Sequence, residues 1–520
     1  MSKKFRVTYA TLSADNEELH GGYEDGVRQA RGWLGRELSG HLADPSASTA
    51  VTTVTSPHDP SVVVSKVRES TPGDIDSGIG VAAAAARSWA RKPWRERMTV
   101  LLRVADLISE RSNELGALMS IENGKNRLEA LGDVEEAADM IRYYCNELEK
   151  HNGYDHPMGS LNPAERTRSV LKPYGVWAVV GPFNFPMALT AGPAGAALVA
   201  GNTVVVKPSL QGTFIASKLF ECFVDAGVPP EAAVLLPGGD EVGQAVVSDP
   251  RIGGVTFTGS SKVGMSVFNE FSTQYPKPVM AEMGGKNPTI VSAKADLDDA
   301  ALGVARSAFG FSGQKCSACS RVYVQAEVRD EFLTKLVEQT RKLKIGDPTA
   351  RDSFVGPVVD ADAVQRFQTA VAHARANGTV VEGGEVVGGT PDLPGHYVAP
   401  TVVTDLPLDD YLYSTELFVP FVAVATVESV SEGLDLANAD PAGLTAGFFS
   451  TDQEEIDEFL DVIEAGVIYV NRPAGATTGA WPGVQPFGGW KRSGSTGKAG
   501  GGLYYLPEFL REQSQTVVEK

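Results

Sequence analysis

Cysteine and histidine are both scarce in this sequence, with four and seven copies among 520 residues. A zinc centre needs about four thiolate or imidazole ligands, usually as closely spaced pairs. Only Cys316 and Cys319 are close together, Cys145 and Cys222 are isolated, and the histidines form no ligand spacing. The sequence therefore predicts no metal site. So few cysteines are also typical of a reducing compartment, so we expect a cytoplasmic protein.

Long apolar runs and an excess of positive charge are absent too. No stretch approaches 18 uninterrupted apolar residues, and the N-terminal segment has early lysines without the apolar core of an export signal. We therefore expect neither export nor a membrane span. With 46 Lys and Arg against 65 Asp and Glu, the net charge is −19, and no local basic stripe offsets it. This balance disfavours a nucleic acid partner, because phosphates would be repelled.

The segments that are present alternate in type. Apolar residues recur at helical spacing over residues 75–125 and predict two or three long helices. Short apolar, β-branched segments such as GVWAVV and GNTVVVK then alternate with helical ones, and a second such block spans residues 283–468. This alternation predicts an α/β fold with parallel sheets and crossover helices. Residues 1–70 are punctuated by Pro, Ser and Thr and predict irregular structure, whereas the terminal REQSQTVVEK predicts a strand.

The cysteine pair in FSGQKCSACSR has several interpretations. A metal site lacks its other ligands, and a thioredoxin-like redox pair is expected near the start of a small βαβ unit rather than this far into a long chain. Two small buried thiols at a helix start, or a catalytic nucleophile, are the remaining choices. The pair alone does not decide between them.

Two further signals point weakly to an anionic ligand. Gly259 and Ser260 lie between a strand, 254–257, and a helix expected from Lys262, so the N–H groups of the helix start could face an anion. Lys207 ends an apolar strand, at the edge where doubly wound sheets bind ligands. A tight turn and an ordinary lysine explain these features as well, because the glycines form no G-x-G-x-x-G.

Seven segments taken together are far more specific. They are VVGPFNFP, GNTVVVKPS, VTFTGSSKVG, MAEMGGKNP, FSGQKCSACSR, TELFVPF and QPFGGWKRSG. In this order and at these separations they resemble the aldehyde dehydrogenase superfamily over about residues 70–515. GQKCSACSR and QPFGGWKRSGSTGKAGG further resemble one branch of it, the 1-pyrroline-5-carboxylate dehydrogenases, which oxidise L-glutamate 5-semialdehyde to L-glutamate in proline degradation. The resemblance implies a small-molecule aldehyde as substrate, with 2-oxoglutarate semialdehyde as the alternative.

The resemblance also implies the catalytic roles. Cys316 matches the nucleophile, while Cys319 is expected only to pack. The Asn184 side chain and the backbone N–H of Cys316 match the oxyanion donors. Glu282 matches the base that activates water, and its uncharged neighbours predict a raised pKa. Because all three catalytic residues are present, we expect an enzyme rather than a binding or structural protein of the same fold. The base also argues against a CoA-acylating variant.

The expected cofactor is NAD. The resemblance implies that it contacts Lys207, Ser209, Gly259, Ser260, Glu416 and Phe418, with Glu416 on the nicotinamide ribose and Phe418 against the ring. Leu210 stands where many NAD-using members place a carboxylate that repels a 2′-phosphate, so NADP stays open as an alternative.

A glycine-rich stretch, GSTGKAGGG, predicts the substrate anchor. By resemblance, the backbone N–H groups of Gly500 and Gly501 hold the substrate carboxylate, Ser317 lies beside it, and Phe185 packs on the methylenes. A flexible turn is the alternative. The loop NRPAGATTGAWPGVQPFGG is longer than expected for this branch, which leaves the substrate open.

The implied architecture is aldehyde dehydrogenase-like and α/β. It combines a doubly wound nucleotide-binding domain (residues 1–154 and 172–281), a second α/β catalytic domain (282–483), and a small β oligomerisation flap with the anchor loop (155–171 and 484–520). The terminal strand would leave an unpaired edge, so we expect a homodimer or a higher homo-oligomer.

Overall fold

The computed structural model of the chain describes residues 17–40, 42–43 and 49–519. The helices in these residues are α1 (Glu17–Arg31), α2 (Pro72–Arg91), α3 (Trp94–Glu110), α4 (Ser112–Asn123), α5 (Arg127–Lys150), α6 (Ala188–Ala200), α7 (Thr213–Ala226), α8 (Asp240–Ser248), α9 (Ser261–Phe271), α10 (Leu297–Phe309), α11 (Arg329–Arg341), α12 (Ala361–Asn377), α13 (Val430–Asn438) and α14 (Gln453–Val462).

The strands are β1 (Arg36–Leu38), β2 (Val51–Thr55), β3 (Val63–Arg68), β4 (Asp155–Pro157), β5 (Glu165–Pro173), β6 (Val176–Val180), β7 (Thr203–Lys207), β8 (Ala233–Leu235), β9 (Ile252–Thr258), β10 (Val279–Glu282), β11 (Asn287–Val291), β12 (Cys319–Gln325), β13 (Thr379–Glu382), β14 (Thr401–Thr404), β15 (Phe421–Val427), β16 (Ala442–Gly443), β17 (Thr445–Phe449), β18 (Val467–Val470), β19 (Trp490–Lys491) and β20 (Leu510–Val518).

The first large sheet is parallel and has the order β10-β9-β6-β7-β8. Alternate residues of β6 face different helices: Val176 and Ala178 pack with residues of α2, α8 and α9, whereas Trp177 and Val179 pack with residues of α6. Burial on both faces explains why this strand is apolar throughout. The chain leaves β6 for β7 on one side and returns to β9 on the other. The carboxyl ends of β6 and β9 therefore form a switch point, where such sheets bind ligands.

The second large sheet has the order β13-β14-β15-β12-β11-β17-β18, parallel except for β13. Residues 283–286 carry the chain from β10 of the first sheet to β11 of the second. A Cβ added to Gly285 in this crossing would lie 3.0 Å from the carbonyl oxygen of Cys316. The crossing therefore brings the end of β10 next to the loop that precedes β12.

A smaller antiparallel sheet has the order β20-β5-β4. The terminal strand β20 pairs with β5 from Leu510 opposite Pro173 to Val518 opposite Glu165. Its other edge has no partner strand among the described residues, and the side chains from Arg511 to Ser514 are exposed. The strand predicted for REQSQTVVEK is confirmed.

The prediction of irregular structure for residues 1–70 is wrong for much of the described part. Helix α1 and a three-stranded sheet, β1-β3-β2, lie there. Leu19, Tyr23, Val27 and Ala30 are spaced by about one helical turn, and all four are buried. Burial of this stripe against the rest of the core stabilises the helix despite the polar residues around it. Residues 1–16, 41 and 44–48 lie outside the described residues.

The remaining element predictions agree with the structure. Residues 75–125 contain α2, α3 and α4, and the helix expected from Lys262 begins one residue earlier. The predicted α/β fold with parallel sheets is confirmed. Among the described residues, no helix combines the length and the apolarity that crossing a membrane requires.

Candidate active site

A cavity of about 1240 Å³ lies where the carboxyl ends of β6, β7, β9 and β10 meet loops of the second sheet. It brings together every site residue predicted from the sequence except Gly501. The predicted residues in its wall are Asn184, Phe185, Lys207, Ser209, Gly259, Ser260, Glu282, Cys316, Ser317, Glu416, Phe418 and Gly500.

Of the two neighbouring thiols, Cys316 is the one that lines this cavity. Its loop is held by Asn287, whose Nδ2 donates to the carbonyl oxygens of Cys316 at 2.7 Å and Ala318 at 2.9 Å. Cys319 is 1 % exposed, and its Sγ lies 3.2 Å from Oγ1 of Thr289. The alternative of a helix start for this pair is wrong, because Cys319 begins strand β12, whose run SRVYV is rich in strand-forming residues.

The protein groups around Cys316 disfavour its thiolate. Burial, and then the neighbouring carboxylates of Glu416 and Glu282, raise the pKa of the Cys316 thiol to about 12. The thiol is therefore protonated at neutral pH. Because the thiolate is the nucleophile, a base must remove this proton before attack.

Glu282, the residue predicted as the base that activates water, lies in the same cavity wall. It is the last residue of β10, its Oε2 accepts a hydrogen bond of 3.2 Å from the N–H of Gly489, and its carbonyl oxygen accepts one of 3.1 Å from Gly259. Burial raises the pKa of Glu282 well above its ordinary value; the bond from Gly489 opposes this shift and the charge of Glu508 adds to it. A carboxylate with a raised pKa is suited to take a proton near neutral pH.

Asn184 is buried in the loop between β6 and α6. Its Nδ2 donates one hydrogen bond of 3.1 Å to the carbonyl oxygen of Gln314, two residues before Cys316. A side-chain amide has two N–H groups, and the described residues provide no acceptor for the second one. This bond ties the amide to the loop of the nucleophile, and the free N–H can stabilise an oxyanion formed there.

A second part of the cavity wall, which contains Lys207, has features that fit a dinucleotide. Lys207 ends β7 and is 8 % exposed, and its Nζ has no hydrogen bond or ion pair within the described residues. Burial lowers the pKa of Lys207. A buried ammonium without a protein acceptor fits the hydroxyl groups of a bound ribose. Ser209 lines the cavity two residues later, and its Oγ donates to Oε1 of Gln211 at 3.1 Å.

The start of α9 also lines this part of the cavity. Ser260 caps the helix, its Oγ accepting from the N–H of Val263 at 3.4 Å. A Cβ on Gly259 would lie 2.6 Å from the ring of Phe257, so only glycine fits there. A capped helix start with a close backbone approach fits a pyrophosphate.

Glu416 also lines the cavity. Its Oε1 accepts a hydrogen bond of 3.1 Å from the N–H of Gly285, and a Cβ on Gly284 would lie 2.0 Å from its Oε2. Burial raises the pKa of Glu416 to about 7. Phe418 has a φ of 57°, and its ring meets that of Phe183 edge to face at 5.8 Å. The two glycines of MGGK thus leave room for this carboxylate.

The two glycines predicted as the substrate anchor donate hydrogen bonds to other groups of the protein. The N–H of Gly500 donates to the carbonyl oxygen of Phe487 at 2.7 Å, and that of Gly501 to the hydroxyl of Tyr144 at 2.9 Å. Both donors therefore already have protein acceptors. Ser317 is buried at the cavity wall next to Cys316.

Sequence reasoning missed two pairs of charged residues in the cavity wall. Glu129 of α5 forms an ion pair with Lys315, and its Oε2 is buried without a hydrogen bond within the described residues. Asp240 and Glu241, in the first turn of α8, line the part that contains Lys207. Lys315 stands directly before the nucleophile in GQKC. The sequence gives no sign, however, that it pairs with Glu129, 186 positions away.

Comparisons with known proteins agree with this geometry. A sequence model of the aldehyde dehydrogenase family matches residues 44–515. The chain belongs to this family. It is 35 % identical to a 1-pyrroline-5-carboxylate dehydrogenase of Anoxybacillus flavithermus over 96 % of both chains, and 36 % identical to one of Geobacillus kaustophilus over 88 % of both. A solved structure of 1-pyrroline-5-carboxylate dehydrogenase from Thermus with bound NAD is 32 % identical, covers 100 % of both chains and has a TM-score of 0.93.

These similarities confirm the predicted family, its fold and an aldehyde dehydrogenase as the class of enzyme. The cofactor predicted from the sequence agrees with the NAD bound in the Thermus structure.

Proposed function

We propose that this aldehyde dehydrogenase oxidises L-glutamate 5-semialdehyde to L-glutamate, as an enzyme of proline degradation. The observation that carries the chemistry is the placement of Cys316, Asn184 and Glu282 on one cavity, with Cys316 as the thiol that lines it. The observation that carries the substrate is the similarity to 1-pyrroline-5-carboxylate dehydrogenases over nearly the whole chain.

In the first step, the Cys316 thiol loses its proton to solvent water, and Sγ forms a bond to the aldehyde carbon. The aldehyde oxygen becomes an oxyanion, which the free N–H of Asn184 and the backbone N–H of Cys316 stabilise. Removing one such donor costs about 3–4 kcal/mol of barrier. When bound, NAD supplies the acceptor for the hydride that leaves the aldehyde carbon.

The second step releases the acid. Loss of hydride leaves an acyl group on Cys316 as a thioester. Glu282 takes a proton from water, the resulting hydroxide attacks the thioester carbon, and Sγ leaves. Lys207, Ser209, Gly259, Ser260, Glu416 and Phe418 bind and orient the cofactor in this proposal.

The ion pair of Glu129 and Lys315 suits an amino acid semialdehyde. Glu129 and Lys315 both line the cavity, so the Glu129 carboxylate can accept from the substrate ammonium and Lys315 offers a countercharge to the substrate carboxylate. Ser317, Gly500 and Gly501 remain the predicted anchor, with Phe185 on the methylenes. The N–H groups of Gly500 and Gly501 donate to the Phe487 carbonyl oxygen and the Tyr144 hydroxyl, so a carboxylate bound there has to share these donors.

The second candidate substrate is 2-oxoglutarate semialdehyde. It has the same chain length and carboxylate but a keto group in place of the amine. Glu129 favours glutamate semialdehyde, because its carboxylate can pair with an ammonium and not with a ketone.

The test is a comparison of kcat/KM, followed by NADH absorbance, for glutamate semialdehyde, 2-oxoglutarate semialdehyde and pentanal. An anchored carboxylate should favour both acids over pentanal by about 10–100-fold. Glu129→Gln should reduce the preference for glutamate semialdehyde over its keto analogue, whereas Glu270→Gln, at an exposed position of α9 that is not in the cavity wall, should not. Equal values for all three aldehydes would refute the substrate assignment.

NAD rather than NADP is the proposed physiological cofactor. Leu210 provides no carboxylate near the adenine ribose, but Asp240 and Glu241 line the cavity beside Lys207. Two carboxylates there would repel a 2′-phosphate.

We further propose the domain boundaries given above, a homodimer or higher homo-oligomer, and a cytoplasmic location. Within the described part of the chain, one edge of β20 has no partner strand, and Val517 and Val518 are exposed there; this supports assembly through β20. Sedimentation should show at least a dimer. Val517→Lys combined with Val518→Lys should weaken the dimer, whereas Val51→Lys, at an exposed position of β2, should not.

A further inference from the structure

A buried lysine lies behind the proposed oxyanion donor. Lys125 follows Gly124, the left-handed residue that ends α4, and its side chain is fully buried. Its Nζ donates to Oδ2 of Asp133 at 2.9 Å and to the carbonyl oxygen of Asn184 at 2.7 Å. The same Nζ lies 3.4 Å from the centre of the Phe185 ring. One ammonium thus contacts both Asn184 and the residue after it.

The turn at the end of α4 also holds the loop of Asn184 at a second point. Asn123 donates from Nδ2 to the carbonyl oxygen of Phe183 at 2.9 Å, and its Oδ1 accepts from the N–H of Lys125 at 3.1 Å. Oδ1 of Asp133 accepts from the N–H of Ala188, the first residue of α6, at 2.7 Å. The backbone is therefore fixed at both ends of the loop that carries Asn184.

Burying the Lys125 ammonium costs free energy, so its presence needs an explanation. A fully buried ammonium loses its hydration, and the pKa of Lys125 is lowered by that burial although Asp133 opposes the shift. An apolar side chain of similar length would fill the same volume without this cost. It would, however, leave the carbonyl oxygen of Asn184 without the donor that the structure provides.

We propose that Lys125 is a positioning residue, which with Asn123 fixes the backbone of Asn184 so that its side-chain amide is aimed at the oxyanion on Cys316. The proposal rests on the function proposed above, because it needs the oxyanion role of Asn184. Lys125 does not line the cavity, and it acts on the oxyanion donor through Asn184. Charge-assisted hydrogen bonds and a ring contact from one buried group give this loop one orientation.

The test uses Lys125→Met in the full-length protein, with kcat per active site counted from the stoichiometry of Cys316 alkylation. A misplaced donor should lower kcat by about 10–100-fold. The dissociation constant for NAD and the alkylation rate of Cys316 should stay within about twofold of wild type, since neither depends on the oxyanion donor. A general structural defect would change all three quantities.

A double-mutant comparison tests whether the effect passes through Asn184. Asn184→Ala should lower kcat by about 10²–10³-fold. Adding Lys125→Met to it should cause no further loss beyond about twofold, because a donor that is gone cannot be misplaced. Losses that multiply would overturn the proposal. The control is Lys218→Met, another buried lysine with a carboxylate partner and a ring contact but outside the cavity wall; it should keep wild-type kcat.

Asn123→Ala keeps the proposal testable if Lys125→Met folds poorly, because it leaves the buried ion pair of Lys125 and Asp133 intact. It should lower kcat less than Lys125→Met while leaving NAD binding and alkylation unchanged. Wild-type kcat in both variants would overturn the proposal and leave the proposed function intact. Failure of the proposed function would instead be visible in the wild-type protein, which would form no NADH with any aldehyde; this result would overturn both.

Discussion

The N–H of Gly489 donates a hydrogen bond of 3.2 Å to Oε2 of Glu282, although these residues are 207 positions apart. The bond holds the proposed base against the loop that follows the second sheet. It favours the charged carboxylate, yet burial dominates, and the pKa of Glu282 is raised well above its ordinary value. The balance between these two effects determines the pH at which the base can act.

The pH profile of kcat should therefore have an ascending limb set by Glu282. The base works as a carboxylate, so activity is present above its pKa and is lost as the pH falls through it. Because burial raises this pKa, the limb should lie above the ordinary glutamate value of about 4.3. Steady-state kcat measured across pH with saturating substrates tests this. Glu282 would be excluded as the base if the limb lay at the ordinary glutamate pKa and Glu282→Gln left it unchanged.

Glu416 should control the reactivity of Cys316 before any cofactor binds. Its carboxylate is the first charge that raises the pKa of this thiol. Glu416→Gln should therefore lower that pKa and accelerate iodoacetamide alkylation of the cofactor-free protein severalfold at mildly alkaline pH, since one pKa unit changes the thiolate fraction about tenfold. Glu129→Gln is the matched control, because this cavity carboxylate is not among the groups that shift the Cys316 pKa. Unchanged alkylation in the Glu416 variant would contradict the electrostatic account.

The preference for NAD should depend on Asp240 and Glu241. Replacing them by Asn and Gln should raise kcat/KM for NADP relative to NAD by about tenfold, because the repulsion of a 2′-phosphate is reduced. Initial rates with each cofactor measure this ratio. An unchanged ratio would mean that other groups select the cofactor.

The sequence predicted the parts of the site that lie inside short motifs. Cys316, Glu282 and Lys207 each stand in or at the end of a strand or turn whose pattern is local, and the structure places them on one cavity. Helix α1 was missed because its polar residues masked the buried stripe of Leu19 and Tyr23.

The contacts that organise the site could not be predicted in this way. Lys125 reaches Asn184 across 59 positions, and the Glu129–Lys315 pair spans 186. Such pairs depend on how α4 and α5 pack against the loops of the two sheets, and one sequence does not contain that information. The hydrogen bonds of Gly500 and Gly501 were likewise hidden, because a glycine-rich stretch predicts flexibility rather than particular partners.

The central claim is that an acyl group forms on Cys316 and that Glu282 is needed to remove it. The most direct measurement is the intact mass of Glu282→Gln after mixing with NAD and glutamate semialdehyde, combined with NADH absorbance and peptide mapping. The account predicts a burst of NADH of about one equivalent per site, then a stall with a glutamyl adduct on the peptide that contains Cys316, and neither burst nor adduct in Cys316→Ala. Normal turnover of the glutamine variant, or NADH formation without an adduct on Cys316, would contradict it.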